Sequence, residues 1–125
     1  MKLEIGDVLY LYNSEIIPNK SKYSLCVHIK PNYFLLINSK NRAMYECMPI
    51  LKKNNAFLTD DSFIGCSNYF QYNANEIKDK EIVGRLGYED LKSLYLHLKK
   101  NVKQLPAEVK NKILESLNDV LDDYR

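Results

Sequence analysis

Apolar and polar positions alternate along the first half of the chain. Asp7-Val-Leu-Tyr-Leu-Tyr12 has period two with apolar residues on both sides, which predicts a strand buried on both faces or nearly so. A polar loop, Asn13 to Lys22, follows, and Pro18-Asn19-Lys20-Ser21 within it breaks any regular element. From Tyr23 to Lys30, Leu25, Val27 and Ile29 fall on one side and Ser24, Cys26 and His28 on the other, which makes the first set the core side. Pro31-Asn32 turns the chain into a strand over Tyr33 to Asn38, and Ser39-Lys40-Asn41-Arg42 turns it again into Ala43 to Ile50, a meander of antiparallel hairpins. Beyond the loop Lys52 to Asn55 and the turn-forming carboxylates Asp60-Asp61, Phe63 to Cys66 reads as a short strand. Short strands at this spacing predict a small barrel or sandwich.

The period changes in the last third. From Tyr88, Leu91, Leu94, Tyr95, Leu98 and Val102 recur at three and four, with Glu89 and Asp90 near the start and Lys99 and Lys100 near the end, as the helix dipole favours. Pro106 then suits a first helical position, followed by the stripe Val109, Ile113, Leu114, Leu117, Val120 and Leu121. The expected architecture is mainly β with C-terminal helices: one domain over residues 1–125, with a small antiparallel barrel over about 1–86 and two packed α-helices over 87–125.

Composition agrees with one soluble globular domain, since 46% of the 125 residues are hydrophobic and 27% charged. The longest apolar runs, Val8 to Tyr12 and Tyr33 to Ile37, fall far short of the roughly 18 residues that cross a bilayer. The opening Met1 to Asp7 carries two acids where a secretion signal needs an apolar stretch, so a cytoplasmic location without membrane contact is expected. Cys26, Cys47 and Cys66 lie in apolar segments without Cys-x-x-Cys spacing, and read as inert thiols rather than a disulfide framework or metal site.

Charge is distributed unevenly. Between Ile16 and Lys53 the chain carries Lys20, Lys22, Lys30, Lys40, Arg42, Lys52 and Lys53 against Glu46 alone, a local net charge of +6, while Glu115, Asp119, Asp122 and Asp123 load the C-terminal end. Such a separation suits a face that meets nucleic acid or an acidic partner. Ten tyrosines interleave with these lysines, and although most must pack in strands and helices, two or three could stack on bases.

No phosphate-binding loop, dinucleotide fingerprint, His-Glu-x-x-His pair or nucleophile elbow occurs, so neither a cofactor nor a metal is expected. His97 lies off the apolar stripe of its helix and reads as solvated and without a role. His28 and Lys22, on one strand face, are six residues or about 20 Å apart and cannot serve one phosphate.

The order of features resembles the MazF/PemK family of toxin ribonucleases, small SH3-like barrels with a helix after the last strand. Gly6-Asp7-Val8 resembles the family's opening strand, and Lys22-Tyr-Ser-Leu-Cys-Val27 stands where the family has Arg-Pro and an apolar strand. Phe34-Leu-Leu-Ile-Asn-Ser39 resembles the strand that ends in Ser or Thr; Asp61-Ser-Phe-Ile64 and Ile82-Val-Gly-Arg-Leu-Gly-Tyr-Glu-Asp-Leu91 resemble the closing strand and helix start, so that the likeness covers about residues 5 to 101. It implies metal-free cleavage of single-stranded RNA, in which Lys22 holds the phosphate, Ser39 hydrogen-bonds the reacting phosphate or 2′-oxygen, and Lys20, Lys40 and Arg42 track the strand. It also implies an acidic antitoxin partner, and the last helix is free to cap the barrel or to build a homodimer. Lys22-Tyr23 departs from Arg-Pro, and this favours the alternative, a non-catalytic SH3-like module that binds RNA or protein through the same surface.

Overall fold

The strands form where apolar residues can be buried on two sides of one sheet. The computed structural model describes residues 2–16 and 18–124. Among them are the strands β1 (Asp7–Asn13), β2 (Lys20–His28), β3 (Tyr33–Asn38), β4 (Met48–Ile50), β5 (Ser62–Phe70) and β6 (Ile82–Arg85), with a short helix α1 (Ala74–Ile77) before β6 and the helices α2 (Tyr88–Asn101) and α3 (Ala107–Asp122) at the end. The strands make one curled antiparallel sheet in the order β4-β5-β3-β2-β1-β6, half a barrel whose two edge strands do not pair with each other. Mainly β with C-terminal helices is thus the fold.

One face of the sheet, carrying Val8, Leu25, Leu35, Ile37 and Ile64, packs against Leu91, Leu94 and Leu98 of α2 and Ile113 and Leu117 of α3. The other face buries a smaller cluster of Leu9, Leu11, Cys26, Phe34, Leu36, Phe70 and Tyr72. The expectation that the Ser24 and Cys26 side of β2 faces outward is corrected here, since both residues are fully buried. A strand in the middle of a curled sheet has both faces covered, and alternation alone cannot reveal the second cover.

The predicted strand over Ala43 to Ile50 is also corrected. Ala43–Tyr45 winds as a single 3-10 turn, Glu46 sits in the left-handed region at φ 47°, and only Met48–Ile50 is extended. Pro49 explains the placement: without an N–H it cannot serve an interior strand, so β4 becomes an edge and β3 pairs with β5 instead. Glu46 is held from two sides. His97 Nε2 donates to its carbonyl at 2.7 Å, and its carboxylate accepts the backbone N–H groups of Lys103 and Gln104, each at 3.0 Å. His97 is therefore a half-buried anchor between α2 and this turn, not a solvated residue without a role.

At the opposite edge, Phe57 lies on Gly84 of β6, where a Cβ would stand 2.2 Å from the ring. Gly6, at φ 96°, turns the chain into β1, and the buried Asp7 carboxylate accepts from Arg85 Nε at 2.9 Å and from the Glu4 N–H at 2.8 Å. His28 stacks on Tyr33, donates from Nε2 to the Lys30 carbonyl, and hydrogen-bonds through Nδ1 with the Ser116 hydroxyl of α3 at 2.6 Å. No helix among the described residues is long and apolar enough to cross a membrane.

Candidate functional site

Alternation along β2 places Lys20, Lys22, Ser24 and Cys26 on one side, and their surroundings change along the strand from buried at Cys26 and Ser24 to half-buried at Lys22 and exposed at Lys20. The sequence predicts Lys20 and Lys22 in a loop; β2 begins at Lys20, ahead of the expected strand start at Tyr23, and this puts both amines on one face. Beside them β3 offers Leu36 and Asn38, β5 offers Gly65, Asn68 and Phe70, the turn after β3 adds Arg42 and Tyr45, and the β1–β2 loop contributes Glu15, Ile16 and Pro18. These residues line a cavity of about 420 Å³ with an apolar floor and a basic wall.

Lys22 Nζ donates to Asn38 Oδ1 at 2.5 Å, across the β2–β3 pair. Burial, and then the positive charges of Lys20 and Arg42, lower the pKa of Lys22 from its ordinary 10.5. Among the described residues, the ion pairs involve none of Lys20, Lys22 and Arg42. Three cations that repel one another thus stand at one cavity, and none of them is ion-paired with Glu15, the carboxylate among the lining residues. An anion entering there gains attraction to all three and relieves their repulsion, which is the electrostatic signature of a phosphate or carboxylate site.

Beneath the basic wall runs a buried polar network. The Tyr72 hydroxyl accepts from Asn13 Nδ2 at 3.1 Å and lies 3.2 Å from Ser24 Oγ, while Asn13 Oδ1 accepts the Glu15 N–H at 2.8 Å. Burial raises the Tyr72 pKa, so the phenol stays protonated and available as a donor. The network fixes the start of the loop that carries Glu15 and Ile16. Gly65 leaves the floor open, since a Cβ there would meet Asn38 and Tyr45 at an ordinary 3.6 Å and anything longer would enter the cavity.

Of the residues expected from sequence, Lys20, Lys22 and Arg42 come together at this cavity. Ser39 and Lys40 are exposed in the turn beyond β3 and do not line it. By strand alternation Asn38, not Ser39, shares the face of Leu36. The sequence reading missed Asn38, Tyr45, Asn68 and Glu15; the register that sets Tyr23 opposite Ile37 would have brought Lys22 beside Asn38. Lys30, Lys52 and Lys53 lie in turns elsewhere, so the basic window divides.

A second cavity of about 420 Å³, between the N-terminal segment and α3, is lined by Leu3, Ile5, Ile29, Leu91 and Val120. Arg85 on its rim is already paired with Glu4 and Asp7, so it offers no free guanidinium to a ligand. Burial makes two of the thiols poor nucleophiles: Cys26 is pushed up to about 12, and Cys66 is raised as well. No protein-family model matches the chain, and a search of the curated proteins finds no match either.

Proposed function

We propose that the protein binds single-stranded RNA through the basic cavity and acts on it as a toxin of the MazF/PemK type. The observation that carries this reading is the group of three cations, Lys20, Lys22 and Arg42, gathered with no ion pair among the described residues around a cavity that also offers an apolar floor, amide groups and the Glu15 carboxylate. In such cleavage the neighbouring 2′-hydroxyl attacks phosphorus, and the protein must take a proton from it, give one to the leaving oxygen and stabilise the charge that grows on the phosphate. Lys22 and Arg42 would supply the positive charge. Lys22, held by Asn38 and with its pKa lowered, is also the amine best able to give up a proton to the leaving oxygen. Glu15 is the carboxylate at the cavity and would take the proton from the 2′-hydroxyl. An acidic antitoxin segment would compete for the same cations.

A second reading has its own observation. Ser39 lies outside the cavity, so the hydroxyl that the family resemblance would place at the phosphate is not there. This favours a binding module that holds RNA without cutting it. Incubating end-labelled single-stranded RNA with the wild-type protein, Lys22→Ala and Glu15→Gln separates the two. Cleavage that both substitutions abolish supports the ribonuclease, RNA bound but intact supports the module, and absence of binding overturns both.

A further inference from the structure

We propose that Lys22 is an acylation site: an acyl phosphate enters the cavity with its phosphate on Lys20 and Arg42 and transfers its acyl group to Lys22 Nζ. The inference rests on reading the cavity as an anion site, and it adds a means of switching that site off.

Acylation needs an amine with a free electron pair close to a bound, activated carbonyl. Lys22 Nζ is fixed by one hydrogen bond to Asn38 Oδ1 and stands in a cavity of about 420 Å³, ample for a small acyl phosphate. Lys20 and Arg42 supply what the donor's phosphate requires, two cations with no ion pair among the described residues. The same two charges, together with burial, favour the neutral amine at Lys22. Exposed lysines such as Lys92 and Lys100 of α2 do not line the cavity and have no site beside them for the donor.

In the step itself the Nζ electron pair attacks the carbonyl carbon and the carbon–oxygen bond to phosphate breaks. The phosphate leaves with the electron pair of the broken carbon–oxygen bond, held by Lys20 and Arg42, and takes the proton that the nitrogen releases. Amine and acyl phosphate become amide and inorganic phosphate. The amide is neutral, so one of the three cations is lost and the acyl group occupies part of the cavity.

The test is acetylation of the full chain by acetyl phosphate near neutral pH, followed at each lysine by mass spectrometry. Lys22 should react at least about fivefold faster than Lys92 or Lys100, since a bound donor is held beside the amine and burial with the neighbouring cations favours its neutral form. Inorganic phosphate should slow Lys22 and leave Lys100 unchanged, and the Lys20→Ala/Arg42→Ala variant should bring Lys22 down to the surface rate. Reaction of Lys22 no faster than Lys100, or a rate indifferent to phosphate, overturns the proposal. RNA binding by the untreated protein is measured alongside: selective acetylation without RNA binding leaves the acylation site standing and removes RNA, whereas RNA binding with Lys22 at the surface rate removes the acylation site alone.

Discussion

Lys22 Nζ reaches across from β2 to Asn38 Oδ1 on β3 at 2.5 Å, and this hydrogen bond joins two residues that line the basic cavity. Asn38 is therefore a positioning residue for Lys22. Asn38→Leu, which keeps the size and removes the acceptor, should weaken RNA binding less than Lys22→Ala does. Fluorescence anisotropy with labelled RNA measures both. Equal affinity in the wild-type protein and Lys22→Ala would show that the amine does not touch the ligand.

Burial, Lys20 and Arg42 lower the pKa of Lys22 from 10.5, so on raising the pH the folded protein sheds this proton before the unfolded chain does. Between the lowered pKa and the ordinary lysine value the unfolded chain binds more protons, and the contribution of Lys22 to stability rises with pH in that window. Affinity for phosphate falls in the same window because a cation is lost. Denaturation midpoints and phosphate affinity, measured from neutral to alkaline pH, should show both trends in the wild-type protein. Both should be reduced in Lys22→Met.

Gly84 has no room for a side chain. A Cβ would stand 2.2 Å from Cδ1 of Phe57 and 2.6 Å from its Cγ, close to the root of the ring where a small rotation gives little relief. Gly84→Ala should cost about 1–3 kcal/mol as an overpacking change. Chemical denaturation of Gly84→Ala, Phe57→Ala and the double variant forms a cycle, and the double variant should cost less than the two single losses added together.

Much of this architecture was legible in the sequence because period two and period 3.6 survive in β1, β3, α2 and α3. What escaped was set by tertiary contacts. Pro49 moved β4 to an edge, and the left-handed Glu46 ended a strand that alternation alone would have continued. The second cover on β2 comes from Phe70 and Tyr72, more than forty residues away in sequence. At the site, composition located Lys20, Lys22 and Arg42, since charge clusters are visible without a fold. Asn38, Asn68 and Tyr45 were not found, because polar residues at the ends of strands gain meaning only once pairing brings them to one cavity.

Glu46 joins the turn before β4 to the start of the α2–α3 connection. Its carboxylate satisfies the N–H groups of Lys103 and Gln104, and Glu46→Ala should cost about 1–2 kcal/mol through their loss. Glu46→Gly removes the strain at φ 47° as well, so its cost should be smaller than that of Glu46→Ala. Thermal melts of the two variants give the order directly.

Cys26 and Cys66 are buried, with thiols raised by burial, whereas Cys47 is half-buried at the turn before β4. A thiol reagent near neutral pH should modify Cys47 in the native protein and reach the other two only after unfolding. Fast labelling of Cys26 in the native state would contradict the two-sided burial of β2.

The salt dependence of RNA affinity tests the central claim most directly. Three phosphate contacts, from Lys20, Lys22 and Arg42, should give a slope of about −2 in log affinity against log salt, at about 0.7 for each contact to a single strand. Lys22→Ala and Arg42→Ala should each flatten that slope by about one contact and weaken all sequences alike, because phosphate contacts carry no base information. Replacing Lys110 and Lys112 on α3 should leave it unchanged. A slope near zero, or one that the Lys22 and Arg42 variants do not alter, would contradict RNA binding at this cavity.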